Sequence, residues 1–424
     1  MADSALRPRK DLPSDLLTEI ACRLPCLIDR LGMSRTCRDW WLAVKRSSPP
    51  RQLPWLLLPD PTTSPVNTGR VSFYCVLGKG NGDTHNLRIG EDTGNARFFG
   101  SYDGGWILLA HGQTDRHMLL NLHTDRRLFL PDHVYYVSPE EGTVLTPLST
   151  TILVATFSSP PGQNTQCFGA AIIDSTWGVC RPQLAFWSME VSGVRRPVAM
   201  GFMKSLCEPW SRPEDVIYHR GAFHFLTDAE HVVVYDIFEL QEVEEGRSIC
   251  LRIDAHHCEY LMHGGPRGST SVRARYLVES RGELLMVVRY AGNSPAWFPH
   301  TGGFQVYQAT QLPTGASQVQ LVWTELHSLD GRMLFVARGC SRSYEVADFP
   351  GSAFGEGIYF LDDRKSNGID MVSLAAHAAP RRWYTCSDNG RCRLVVGEPR
   401  LQVFRRWFTN KEHSDYSPPI WCIP

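Results

Sequence analysis

The chain has 424 residues, of which 43% are hydrophobic and 21% charged, with a net charge of −1. That length favours two domains over one, and that composition belongs to a globular protein rather than a disordered one. No apolar run approaches the 18 or so residues a membrane span needs, and neither half carries the basic excess of a nucleic-acid binder, so the reading excludes membrane and nucleic acid as partners.

Charge is unevenly spread. Residues 1 to 51 hold ten Lys and Arg against six Asp and Glu, or +4, which leaves −5 for the remainder. A basic N-terminal unit is steered toward an acidic partner. The thirteen cysteines are odd in number and irregularly spaced, the N-terminus has charges where a signal peptide carries its apolar region, and the sequence has no Asn-x-Ser/Thr sequon. These features point to a reducing compartment, cytoplasm or nucleus, with cysteines acting as small apolar residues.

Residues 1 to 10 read as a flexible lead-in. From Asp11 the pattern turns helical: Leu16, Leu17, Ile20 and Leu24 fall along one stripe of a 3.6-residue repeat. Pro13 suits the start of such a helix and Pro25 its end. Asp15 and Glu19 lie toward the positive end of the helix dipole and Arg23 toward the negative end. Leu27, Ile28 and Leu31 form a second apolar group. Gly32 is expected to bend the chain before Ser34 caps a further helix carrying Cys37, Trp40, Trp41 and Val44. So small a unit gains stability by docking on something else.

The Leu12-Pro13 start, the Leu16-Leu17-x-x-Ile20 stripe, Leu24-Pro25, Asp29-x-Leu31 and Cys37-x-x-Trp40 resemble an F-box over residues 11 to 46. Gly32 and Ser34 depart from it, standing where more apolar residues are expected. The continuation is similar to a large group of plant F-box proteins. It comprises Leu53-Pro-Trp-Leu-Leu-Leu-Pro59, Gly104-Gly-Trp106, Asp215-Val-Ile-Tyr-His-Arg-Gly-Ala-Phe223 and Gly355-Glu-Gly-Ile-Tyr-Phe360. The resemblance implies a kelch-like propeller for the long C-terminal region, catalogued in that group as a domain of unknown function. It also implies binding to the Skp-type adaptor, and through it a cullin, in an SCF-type E3 ubiquitin ligase. Leu12, Pro13, Leu16, Leu17, Ile20, Leu24, Cys37 and Trp40 are then the adaptor-binding candidates, some of which must instead face the unit's own core.

Residues 47 to 69, opened by Ser47-Ser-Pro-Pro50 and closed by a Pro-, Thr- and Ser-rich stretch, read as a linker, and 70 to 424 as the second domain. There the period changes. Glycine-opened apolar strands recur at Gly105, Gly169, Gly221, Gly282 and Gly331, in steps of 49 to 64 residues. Steps near 50 fit kelch-type blades. Second β runs at 118–122, 232–235, 304–307 and 358–361 complete expected hairpins. Amphipathic helices are nearly absent beyond residue 50, which disfavours a βαβ fold. The expected fold is therefore mainly β, a small all-α unit followed by a propeller of six or seven blades. The competing architecture is a pair of β-sandwiches.

Catalytic signatures are scarce. There is no Gly-x-Ser-x-Gly elbow and no His-Glu-x-x-His, and Gly264-Gly-Pro-Arg-Gly-Ser-Thr270 lacks the lysine of a phosphate loop. Gly78-Lys-Gly-Asn-Gly82 reads as a hairpin loop. His256-His-Cys258 with Cys250 and His263 lacks the paired spacing of a zinc site and reads as a polar loop. Cys22 and Cys26 sit one helical turn apart and read as core or adaptor contacts. Trp297, Trp323, Trp383, Trp407 and Trp421 read as blade packing. No cofactor or metal is expected. The sequence points to a non-catalytic receptor for a protein substrate. The competing reading is a propeller enzyme or small-molecule sensor, which needs acid/base or metal residues converging at the axis. A third is an adaptor-bound protein without ligase activity.

Overall fold

The structure, a computed structural model, describes residues 12–24, 26–47, 52–58, 70–75, 83–88, 96–112, 114–137, 144–161, 167–175, 183–190, 193–200, 211–242, 249–258, 260–262, 272–292, 300–312, 320–350, 354–362, 388–394, 402–405 and 417–423. Three short helices open it: α1 (Ser14–Arg23), α2 (Leu27–Ser34) and α3 (Arg38–Arg46). Leu17, Ala21, Met33 and Ala43 are their buried core, with Leu24, Trp40 and Val44 partly buried against it. Gly32 lies inside α2 rather than bending it, because its backbone is helical and its missing side chain leaves only open space. Ser34 ends α2 instead of capping α3. Its hydroxyl donates back to the Leu31 carbonyl at 2.8 Å, and Cys37 takes the position before α3 with no side-chain cap bond.

The rest is β-structure in six sheets, arranged as a six-bladed propeller. Blade 1 contains β1 (Trp55–Leu58), β2 (Arg70–Cys75) and β3 (Asp83–Arg88), and blade 2 runs β4 (Arg97–Tyr102), β5 (Trp106–Ala110), β6 (His117–Asn121) and β7 (Arg127–Phe129). Blade 3 holds β8 (His133–Val137), β9 (Val144–Phe157), β10 (Cys167–Ser175), β11 (Gln183–Glu190) and β12 (Gly193–Met200). Blade 4 is β13 (Pro213–His219), β14 (Ala222–Thr227), β15 (Val232–Glu242) and β16 (Ile249–Cys258). Blade 5 has β17 (Tyr260–Met262), β18 (Val272–Ser280), β19 (Glu283–Ala291), β20 (Thr301–Leu312) and β21 (Gln320–Leu326). Blade 6 has β22 (Arg332–Val336), β23 (Arg342–Glu345), β24 (Gly357–Phe360), β25 (Gly390–Leu394) and β26 (Gln402–Arg405), and β27 (Ile420–Cys422) returns to blade 1.

Ring closure is visible in the packing. Every neighbouring pair of blades, 6 with 1 included, shares a buried apolar cluster. The ring is sealed by the two ends of the β region: Trp55 opposes Cys422, and Leu57 opposes Ile420, in antiparallel register. Trp421 then lies edge-on to Phe335 of blade 6 at 5.1 Å, while its carbonyl accepts from the Ser101 hydroxyl of blade 2 at 2.7 Å. The propeller sheet thus begins at Trp55, ahead of the boundary expected at residue 70. β8 and β17 each pair in parallel with the outermost strand of their own blade, β12 and β21. Both cover an edge that would otherwise expose unpaired backbone groups.

The glycine signal has two physical origins. Arg220-Gly221, Arg281-Gly282 and Asp330-Gly331 are tight turns in which both residues have positive φ, the conformation of a type I′ turn, where glycine carries no steric penalty. Gly169 is different. It lies within β10 opposite Trp187, and a Cβ there would stand 2.2 Å from that indole ring. The expected hairpin after Gly331 is also replaced: β24 runs parallel to β22, and β23 folds back to the inner position.

His256, His257, Cys258 and Cys250 belong to strand β16 rather than to a loop; their side chains, with His263, lie outside the described residues. Residues 1 to 10, Pro25, the stretches 60–69, 78–82 and 264–270, Trp297, Trp383 and Trp407 also lie outside them. Trp323 and Trp421 are buried in blade packing. Among the described residues no helix is long and apolar enough to cross a membrane, and the described cysteines form no disulfide.

Buried titratable groups tie the blades together and set a pH dependence. The His117 Nδ1 donates to Asp132 at 2.7 Å while its Nε2 accepts from the Ile152 backbone N–H of blade 3 at 3.1 Å, an assignment that requires the neutral ring. Burial holds His117 and His123 below the ordinary 6.5 and pushes His224 down to about 4. Asp215 acts oppositely. Complete burial lifts it from 3.8 to about 7, although its carboxylate accepts backbone N–H groups from Val216 at 2.8 Å, Leu277 at 2.7 Å and Gly339 at 2.6 Å.

For the histidines, folded values are depressed, so their stabilisation is present above 6.5 and lost as pH falls through the folded values. For Asp215 the folded value is raised, so its contribution is complete below 3.8 and lost as pH rises through about 7. Three histidines against one aspartate predict a net fall in the thermal midpoint between pH 6.5 and pH 4. Asp215→Asn, which removes the opposing contribution, is expected to steepen that fall. A flat profile, or an unchanged slope in the variant, would contradict it.

Candidate functional site

Two places on the molecule stand out as candidate sites. The first is α1. Pro13 precedes the helix and its carbonyl accepts the Leu17 N–H at 3.1 Å, so proline here removes no helical hydrogen bond. Of the apolar stripe, Leu17 faces inward at 1% exposure, whereas Leu12, Leu16 and Ile20 stand 36%, 47% and 37% exposed. Leu16 and Ile20, four residues apart, follow one helical face, and Leu12 stands just ahead of the helix. Pro13 and Cys37 are exposed, and Leu24 and Trp40 are partly buried in the unit's core. The stripe therefore splits into an inner and an outer row.

Trp41, not among the candidates read from sequence, is 46% exposed with the Lys45 ammonium 5.0 Å from its ring. The signal was the Trp40-Trp41 pair, since adjacent helical residues point about 100° apart and both cannot enter one small core. Cys26, read from sequence as a core or adaptor contact one helical turn from Cys22, is a core residue, though not of the first helix. It lies after α1 and is buried in the cluster shared by blades 1 and 2, where Ile28 also packs. The helical unit is thereby anchored to the propeller, and buried Arg30 beside His123 adds to the lowering of that histidine.

The second place is the propeller axis. Inner strands β4, β9, β13, β18 and β23 surround a cavity of about 410 Å³ lined by residues of five blades. Its walls include Tyr102, Asp103, Phe157, Tyr218, Glu279, Arg281, Arg342, Tyr344, Glu345 and Asp348. The hairpin tip between β22 and β23 crosses beneath it. There Gly339 donates to Asp215 of blade 4, and a Cβ on Gly339 would stand 2.7 Å from the Ala155 carbonyl of blade 3. No larger residue fits without moving a strand.

Bidentate pairs link the lining. Arg342 holds Asp103 at 3.1 and 3.0 Å, and Arg281 holds Glu345 at 2.9 and 2.7 Å. The hydrogen bond from Arg281 keeps the Glu345 carboxyl below its ordinary range. Burial works against Arg342, but the Asp103 charge and hydrogen bond, with smaller contributions from Tyr344 and Cys340, together outweigh it and raise the guanidinium above its ordinary value.

Among the described residues no group of three or more His, Cys, Asp and Glu side chains could hold a metal ion. Chelator-washed protein is expected to contain less than one zinc per chain and to keep its thermal transition; stoichiometric zinc whose removal unfolds it would overturn this.

A family model, the KIB1-4 beta-propeller, matches residues 73–378. An F-box/kelch-repeat protein of Arabidopsis thaliana is 26% identical over 234 residues, 54% of each chain. The chain thus spans about half the length of that curated relative. The crystal structure of the major Malassezia sympodialis allergen Mala s 1 overlaps 70% of this chain and 85% of its own at 10% identity, with a TM-score of 0.24, a likeness too weak to support any argument. With a helical unit ahead of a propeller and the family match covering most of that propeller, the chain belongs to the KIB1-4 beta-propeller family and is a plant F-box protein.

Proposed function

We propose that the protein is the non-catalytic substrate-recognition subunit of an SCF-type E3 ubiquitin ligase. The helical unit, residues 11 to 46, binds a Skp-type adaptor and through it a cullin, and the propeller binds a protein substrate in the cytoplasm or nucleus. The observation that carries the reading is the outer row of Leu16 and Ile20 on α1, with Leu12 just ahead of the helix, left exposed while Leu17 and Ala21 close the unit's own core. An amphipathic helix with apolar residues on two faces is complete only when a partner covers the second. The exposed Lys45 and Arg46 at the end of α3 suit an acidic partner.

Anchoring through Cys26 and Ile28 serves the same role, because a receptor must hold its substrate in a fixed relation to the adaptor. Affinity purification of the tagged protein, with and without proteasome inhibition, tests the reading. Recovery of a Skp-type adaptor and a cullin in both conditions, with substrate enriched under inhibition, is the expected result; an adaptor-free preparation would refute it.

A further inference from the structure

We propose that the axial cavity is the substrate-docking pocket and that it takes a cationic segment, an extended stretch of the partner protein bearing arginine or lysine. The inference rests on the receptor reading and names the chemistry of what the receptor holds. Among the ionisable groups lining the cavity, four carboxylates, Asp103, Glu279, Glu345 and Asp348, face two guanidiniums, Arg281 and Arg342.

The guanidiniums are committed. Arg342 spends Nε and Nη2 on Asp103 and Nη1 on the Ser341 carbonyl at 2.9 Å. Arg281 spends Nε and Nη2 on Glu345 and on the Asp330 carbonyl at 2.7 Å. The Ser280 and Ser343 hydroxyls pair with each other at 2.8 Å. Most of the guanidinium donors that the wall offers are thus already spent on neighbouring carboxylates and carbonyls.

Acceptors are better placed. The Glu279 side chain is 49% exposed and stands 3.2 Å from Nδ1 of His219. That histidine is 5% exposed, lies behind the cavity wall, and its Nδ1 faces the Glu279 carboxylate in an ion-pair contact. The Glu279 carboxylate is thus backed by the buried ring while its half-exposed side chain lines the cavity, where a cationic group can meet it. Tyr218, Tyr344 and Phe157 line the same walls, and aromatic rings beside carboxylates receive a guanidinium or ammonium through the ring face as well as the charge. The volume suits one or two side chains rather than a folded surface.

Fluorescence anisotropy tests this with three fluorescein-labelled peptides on the purified full chain: Gly-Ser-Arg-Gly-Arg-Gly-Ser, the same peptide with citrulline for arginine, and the same with glutamate. The arginine peptide is expected to bind and to weaken with salt, the citrulline peptide to bind about tenfold less tightly, and the glutamate peptide not at all. Glu279→Gln is expected to weaken the arginine peptide about tenfold. Glu283→Gln, which alters the carboxylate facing Arg220 outside the cavity, is expected to leave it unchanged. Asp348→Asn is a second arm should Glu279→Gln shift the thermal midpoint. Equal binding of the citrulline or glutamate peptide, or cavity variants that bind as wild type, overturns the assignment. Co-purification with the adaptor, measured on the same preparation, separates the two claims. A chain that captures adaptor but no arginine peptide sinks the pocket alone, and one that binds peptide but never adaptor sinks the receptor reading on which the pocket's role as a substrate site depends.

Discussion

Leu16→Asp combined with Ile20→Asp is expected to abolish capture of a Skp-type adaptor while leaving the thermal transition of the propeller in place. Both side chains are exposed, at 47% and 37%, so in the free protein the new carboxylates sit in water and cost little. In the complex they would be buried in an apolar interface without partners, which costs several kcal/mol. A loss of about 4 kcal/mol corresponds to roughly a thousandfold in affinity. Leu17→Asp supplies the contrast. That residue is 1% exposed in the unit's own core, so its replacement is expected to unfold the helices and remove binding by a different route. Co-purification read beside calorimetry and helical circular dichroism distinguishes the two. Survival of adaptor capture in the double variant would remove the basis for the F-box role.

The same residues show how far the sequence was legible. The stripe announced a helix, and resemblance supplied its role, but a stripe of width Leu16, Leu17, Ile20 cannot say which row is inner. That is decided by where α3 lies. The propeller was legible through Arg220-Gly221, Arg281-Gly282 and Asp330-Gly331, because a type I′ turn imposes a local demand for positive φ that glycine meets. Gly169 entered the same count for an unrelated reason, room for the Trp187 ring, and a spacing argument cannot separate the two.

Closure was hidden, since β1 and β27 are joined across almost the whole β region and neither strand carries a pattern of its own. The axial cavity was hidden for the same cause. Asp103 and Arg342 meet only because two inner strands converge on the axis. Asp215 stood in a motif quoted for resemblance, yet its carboxylate, accepting backbone N–H groups from its own strand, from blade 5 and from the hairpin tip of blade 6, is defined by tertiary structure alone.

Arg289→Met is expected to be among the most destabilising single changes in the propeller. The side chain is fully buried on β19 and reaches from blade 5 into blade 6. It donates to Thr301 Oγ1 at 2.8 Å, the Leu361 carbonyl at 2.8 Å and Asp388 Oδ2 at 2.9 Å. Its guanidinium also lies 4.8 Å from the Phe360 ring. Burial alone would raise Asp388, but Arg289 and Arg273 more than offset it and hold the carboxyl below its ordinary range. Methionine fills the volume and supplies none of the donors. Arg273, which bonds both Asp388 and Asp362, and the Thr301 N–H and hydroxyl would remain, so the aspartate keeps part of its compensation and loses its fully buried cation.

Breaking a buried pair by removing one partner costs about 3–5 kcal/mol, a large share of the roughly 5–15 kcal/mol that holds a domain together. The midpoint of chemical denaturation should fall accordingly, and the loss should appear first as faster hydrogen exchange in β19 and β24, the strands the guanidinium joins. Adaptor capture through α1 should persist at temperatures where the variant propeller is still folded. A variant within 1 kcal/mol of wild type would mean that Arg273 and the aromatic packing at Phe304 and Phe360 hold blades 5 and 6 together without the buried cation.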